Sequence, residues 1–165
     1  GCLPRIGPPN HLRMPHNHVG PGDNFVVQRR QVLRAMMRKM HEAKVQEKRP
    51  VVMWGTGSPK REFLHVDDLA EACLFLLENY DEGDPINVGT GVDQSIIELA
   101  IMVKEIVGYE GSLVWDKDKP DGTPRKLLDT RRINALGWQP KIGLEDGIRS
   151  TYAWFLQHVD TDARV

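Results

Sequence analysis

The run Pro50-Val51-Val52-Met53-Trp54-Gly55-Thr56-Gly57-Ser58-Pro59-Lys60-Arg61-Glu62-Phe63-Leu64-His65-Val66-Asp67-Asp68 decides how this chain is read. Its apolar opening predicts a strand that closes on Trp54. Gly55, Gly57 and Pro59 then break helix and strand alike. Beyond the loop come a cation at Arg61, an apolar patch and two carboxylates suited to the first turn of a helix. An indole stacks on a flat ring and a guanidinium grips phosphate in a bidentate fork, so a strand, a glycine loop and these two groups suit a nucleotide site. The same residues also fit a core tryptophan beside a surface salt bridge, since Trp is highly buried on average.

Downstream of the run, Asp67 or Asp68 caps a helix reaching about Asn79, with Leu69, Cys73, Leu76 and Leu77 inward. After an acidic turn, Ile86-Asn87-Val88 forms a strand that opens into Gly89-Thr90-Gly91. Ser95-x-x-Glu98 is a capping box for a helix ending near Val107, with Gly108 as its left-handed cap. Ser112 to Trp115 reads as a strand and Asp116 to Pro124 as a polar loop. Arg125 to Asp129 leads into a short helix stopped by Gly137-Trp138-Gln139-Pro140. The last helix runs from Leu144 to about His158, with Ile148, Tyr152, Phe155 and Leu156 on one face.

Upstream, a helix is predicted from Gln28 to about Gln46. Val32, Leu33, Met36, Met37 and Met40 share its apolar face, and Arg29, Arg30, Arg34, Arg38 and Lys39 the other. That basic face fits solvated long side chains, an anion-facing helix beside a pyrophosphate, or a nucleic-acid-binding helix, although aromatic interleaving is missing. Leu12 to Pro15 suggests a short strand and His16 to Phe25 a turn-rich loop. His11, His16 and His18 lack the partner spacing of zinc motifs, so no metal site is assigned. Residues 1–11 read as an irregular arm, 12–159 as one domain and 160–165 as a tail.

The bulk numbers are those of a globular domain. The 165 residues carry 22 Lys and Arg against 23 Asp and Glu, a net charge of -1 that exerts no global pull on nucleic acid or an anionic membrane. No apolar run reaches membrane-spanning length. Cys2 and Cys73 are too few for a disulfide framework and predict free thiols in a reducing, cytoplasmic setting. A chain that begins at Gly1 suggests a fragment or a processed piece. The expected fold is α/β, with about five helices, four or five short strands and some parallel pairing. No Gly-x-Gly-x-x-Gly follows an opening strand and no Tyr-x-x-x-Lys pair occurs, so the sequence holds neither a dinucleotide fingerprint nor a lysine-assisted tyrosine acid.

Four blocks together carry a family resemblance. They are Asn17-x-x-Gly20-Pro21-x-Asp23-Asn24-Phe25, Trp54 to Asp68, Ile86-Asn87-Val88-Gly89-Thr90-Gly91, and Lys119-Pro120-Asp121-Gly122-Thr123-Pro124-Arg125-Lys126. From about Leu12 to His158 the chain resembles the carboxy-terminal, substrate-binding half of the GDP-L-fucose synthases. These are extended short-chain dehydrogenase/reductases that convert GDP-4-keto-6-deoxy-mannose to GDP-L-fucose by epimerisation and reduction. The resemblance implies an amino-terminal Rossmann half for NADP outside this chain and a GDP-sugar site within it. It places Trp54 against the guanine, Val32 and Met36 beside it, and Arg61 and Lys126 at the ribose and diphosphate. Pro15 and Asn17 fall in the segment bordering nicotinamide and sugar.

Two positions depart from the family pattern. Its epimerisation acid, a histidine, is replaced by Gln31, which donates a hydrogen bond but delivers no proton near neutral pH. Its second catalytic-region cation, an arginine, is replaced by Lys39, which keeps the charge and loses the fork. The expectation is therefore a chain that binds GDP or a GDP-sugar but does not turn over alone, and that acts with a separate Rossmann half. A non-catalytic nucleotide-sugar-binding or assembly module and a nucleic-acid-binding module are the alternatives. Separation from a Rossmann half predicts an exposed apolar seam along the Val32–Met40 helix and the first strand, hence a homo-oligomer.

Overall fold

The computed structural model describes residues 12–13, 17–22, 32–46 and 50–158. Pro15, Gln31, Arg29, Arg30, His11 and His16 lie outside the described residues. Two short strands, β1 (Leu12–Arg13) and β2 (His18–Val19), precede helix α1 (Val32–Val45). Strands β3 (Val51–Trp54), β4 (Lys60–Glu62) and β5 (Leu64–His65) lead into α2 (Val66–Asn79). Then follow β6 (Ile86–Asn87), β7 (Asp93–Ser95), α3 (Ile96–Val107), β8 (Leu113–Asp116), β9 (Arg125–Lys126), α4 (Arg131–Ala135) and α5 (Leu144–His158). The α/β class and the parallel pairing expected from the sequence are present.

The strands pair in four small sets. β1 runs parallel to β6, β2 to β5 and β3 to β8, while β4 lies between antiparallel β7 and parallel β9. Strand pieces of two or three residues cannot alternate long enough to announce themselves. Accordingly β2, β4, β5, β7 and β9 arise in stretches not read as strands, because their partners supply the hydrogen bonds.

Two apolar clusters organise the helices. One joins Leu33, Met36, Met37 and Met40 of α1 to Val51 and Met53 of β3, Leu99 and Val103 of α3, and Ile148 and Phe155 of α5. The other gathers Leu64, Ala72, Leu76, Ile86, Val88, Ile133 and Trp138 between α2, β6 and α4. The expected exposed seam along α1 is therefore absent: its methionines fill the first cluster.

Three helix ends show how local chemistry sets boundaries. Ser95 caps α3 through the expected box, its hydroxyl accepting from the Glu98 amide while the Glu98 carboxylate accepts from the Ser95 amide at 2.7 Å. Gly108 closes that helix in the left-handed region at φ 68°. At α2 the cap is His65, not Asp67 or Asp68: its Nδ1 accepts from the Asp67 amide at 3.2 Å. Asp68 is instead buried and accepts from the Lys141 and Ile142 amides at 3.1 and 2.9 Å, tying α2 to the segment before α5.

Leu77 and Leu156 do not face inward as the periodicity suggested. The buried stripe of α2 runs through Asp68, Ala72 and Leu76, and Leu77, one residue past it, is 74% exposed. On α5 the stripe is Ile148, Thr151, Tyr152 and Phe155, and Leu156 sits outside it.

Candidate functional site

Strand β3 alternates inward Val51 and Met53 with outward Val52 and Trp54, so Trp54 is 69% exposed. This overturns the reading of Trp54 as a core side chain. Its only described ring partner is a cation: Lys119 Nζ stands 5.8 Å from the indole centroid. The following loop turns at Gly55 and Gly57, with φ of 78° and 75°. Between them Thr56 is held by Asp121, which accepts from the Thr56 amide at 2.9 Å and from its hydroxyl at 2.7 Å. The Thr56 hydroxyl and amide hold the Asp121 carboxyl below its ordinary value of 3.8.

The loop that carries Lys119 and Asp121 continues to Gly122, where an added Cβ would lie 3.0 Å from an Arg61 guanidinium nitrogen. Three residues of chain thus connect the neighbourhood of Trp54 with that of Arg61, a reach of about 10 Å at most.

Arg61 sits in the centre of the three-stranded set, in register with Lys126 on β9 and Gln94 on β7. Register partners share a face, so two cations stand side by side. Arg61 donates to the Lys60 carbonyl at 2.6 Å, and neither Arg61 nor Lys126 has a carboxylate partner among the described residues. Most other described arginines differ: Arg38 pairs with Glu42, Arg125 with Asp93, Arg131 with Asp129, Arg132 with Glu82 and Arg149 with Glu145. The Arg131 guanidinium depresses the Asp129 carboxyl to about 2. Two adjacent cations with no carboxylate partner among the described residues are the chemistry that holding an anion requires.

Beneath Arg61 the next residue, Glu62, is 2% exposed. Asn17 donates its side-chain amide to the Glu62 carbonyl at 3.2 Å, which brings the Asn17 segment against β4. Lys39 donates to the Val52 carbonyl at 3.3 Å and so reaches the strand that ends on Trp54. Val32 is half-buried, but Met36 is only 1% exposed and belongs to the core, packed between α1 and its neighbours. As folded here, Met36 offers no wall to a base, which corrects the expectation from the resemblance. Asp121, Lys119 and Glu62 were not singled out from the sequence. Thr56 and Asp121 lie 65 residues apart, and nothing in either motif announces their pairing.

The glycine loops are shaped for protein packing. A Cβ on Gly55 would overlap the Asp121 carboxylate, one on Gly57 the Ile97 and Trp115 side chains, and one on Gly89 the Glu62 carboxylate. None of these hollows is a cradle for a dinucleotide pyrophosphate. An open groove of about 490 Å³, lined by Ile101, Lys104, Tyr109 and Leu113 among others, lies at the far end of α3 and includes none of the residues above.

Residues 12–89 match the NAD dependent epimerase/dehydratase family. The chain is 56% identical over 146 residues to GDP-L-fucose synthase 1 of Arabidopsis thaliana, covering 88% of this chain and 45% of that protein. It is 49% identical over 156 residues to the GDP-L-fucose synthase of Escherichia coli, covering 89% of this chain and 49% of that protein. The fold aligns with a GDP-L-fucose synthetase from Naegleria fowleri at a TM-score of 0.85 and 29% identity, over 92% of this chain and 47% of that one. The chain spans about half the length of the curated relatives it matches.

Proposed function

We propose, from the premise that this chain belongs with the GDP-L-fucose synthases of the NAD dependent epimerase/dehydratase family, that it supplies the GDP-sugar-binding half of such an epimerase/reductase. The observation that carries the reading is the Arg61–Lys126 couple, without a carboxylate partner among the described residues, and an exposed Trp54, with the Lys119–Gly122 loop reaching both. Trp54 stacks on the guanine, Arg61 and Lys126 neutralise the diphosphate, and Val32 flanks the base. Asn17, fixed against β4, borders the sugar. Lys39 lends positive charge on the same side through its hold on β3.

A Naegleria fowleri relative is described as bound to NADP, which supports an NADP-dependent reaction for the whole enzyme. NADP, when bound, supplies hydride. The described glycine loops do not cradle its pyrophosphate, because their hollows are filled by protein atoms, so no step of this chain runs through it. Pro15 and Asn17 are the residues proposed to face it, and Gln31 the one proposed to stand in the place of the family acid. With glutamine there and no Tyr-x-x-x-Lys pair, the 165 residues bind and orient substrate without turning it over.

GDP, UDP and ADP titrated separately in a thermal-shift assay test the reading. A larger shift with GDP than with the other two supports it, while equal or absent shifts with all three remove the guanine assignment. Adding an NADP-binding half in trans to a Gln31→His variant tests the catalytic assignment: recovered turnover supports it, and none opposes it.

A further inference from the structure

We infer that Glu62 is a positioning residue whose buried carboxylate sets the spacing of the Arg61–Lys126 cation pair; this rests on the reading of that pair as the diphosphate site. Glu62 has no cation partner among the described salt bridges. Its charge is satisfied by three donors instead. One oxygen accepts from the Gly91 amide at 2.7 Å and the Thr90 hydroxyl at 3.3 Å, the other from the Leu128 amide at 3.1 Å. Gly89 is required for this close approach, since a Cβ there would overlap the carboxylate.

The placement of those donors gives the carboxylate its role. Gly91 lies two residues before Asp93, the register partner of Glu62 on β7, and Leu128 lies two residues after Lys126 on β9. One side chain therefore ties β4 to both neighbours, on the face opposite Arg61. The β4–β9 pairing is otherwise two residues long, and the Arg125–Asp93 bridge, exposed on its arginine side, joins β9 to β7. So short a ladder does not hold a strand in place by itself. Burying a carboxylate is costly even when hydrogen-bonded, and an apolar side chain would fill the space more cheaply. What only the carboxylate provides is an acceptor for amides on two different segments at once. Arg61 and Lys126 project from the backbone that those amides anchor, so their separation follows from this staple.

The test uses Glu62→Gln in the full chain, with hydrogen exchange, GDP and inorganic pyrophosphate. Glutamine has one acceptor oxygen and sets an N–H group against one of the amides. Exchange at Leu128 and Gly91 is expected to quicken while the amides of α3 keep their rates. Affinity for both ligands is expected to fall by about tenfold, the change that corresponds to one buried unsatisfied amide. In an Arg61→Ala, Lys126→Ala background the same substitution should change affinity no further, since Glu62 acts through those two side chains. An equal loss in both backgrounds, or unchanged exchange at Leu128, overturns the inference. Should Glu62→Gln fail to fold, Thr90→Val removes one donor and should produce smaller changes of the same sign; no change with it overturns the inference as well. If the wild type binds neither ligand, the diphosphate reading has failed and the positioning role falls with it. The exchange data then still report whether the staple exists.

Discussion

Replacing Trp54 with alanine separates recognition from stability, because the indole does so little for the fold. It is 69% exposed, and its one described ring contact is Lys119 at 5.8 Å. An exposed cation–π contact contributes about 0.5–1 kcal/mol. For a domain of this size that corresponds to about 4 °C of melting temperature at most. Stacking of a base on an aromatic side chain is worth about 1–3 kcal/mol, a factor of about 5 to 150 in affinity. Calorimetric titration should therefore show GDP binding weakened by that factor in Trp54→Ala and by less in Trp54→Phe, which keeps a ring. Inorganic pyrophosphate has no base, so its affinity should stay unchanged. Unaltered GDP affinity, or an equal loss for both ligands, would refute the assignment of Trp54 to the base.

Arg61→Ala should weaken GDP and pyrophosphate alike by about 10- to 150-fold, the value of a charge-assisted hydrogen bond, and Arg61→Lys should recover part of it without the bidentate fork; titration of the two ligands checks this. The Asp121 latch on Thr56 has a carboxyl held below 3.8, so the latch persists from neutral pH down through that value and opens only below it. Asp121→Ala should speed exchange of the Thr56 amide at neutral pH with little change in melting temperature. His41, packed against Tyr152 and Phe155, is held below its ordinary 6.5 by burial and then by the Lys44 charge. The unfolded chain thus takes the proton first, and stability should decline as pH falls from 6.5 through the folded value. A pH series of melting temperatures should flatten in His41→Gln across that interval.

Much of the architecture was legible from local chemistry. The Ser95–Glu98 box, the left-handed Gly108 and the long helices α3 and α5 each depend on residues within a few positions of one another. Periodicity blurred where a stripe was narrow. Leu77 and Leu156 sit beside buried rows and turn outward, since each core accepts only the residues facing a partner helix. The indole of Trp54 and the guanidinium of Arg61 stood out in the run itself, whereas Lys126 was read from the family motif. Whether that indole lay in the core or at the surface was open until β3 showed its alternation.

By itself, the sequence determined the α/β class, both caps of α3, the glycine turns and the types of group available to a nucleotide sugar. Those properties follow from backbone conformation and side-chain chemistry over short distances. The tertiary structure alone decided that Arg61 and Lys126, 65 positions apart, share a face in register. It also decided that Asp121 latches Thr56, that Met36 belongs to the core, and that Glu62 on β4 bonds the segments flanking β7 and β9. These relations depend on which two-residue strands find each other. That pairing joins residues far apart in the sequence and leaves no periodic trace along it.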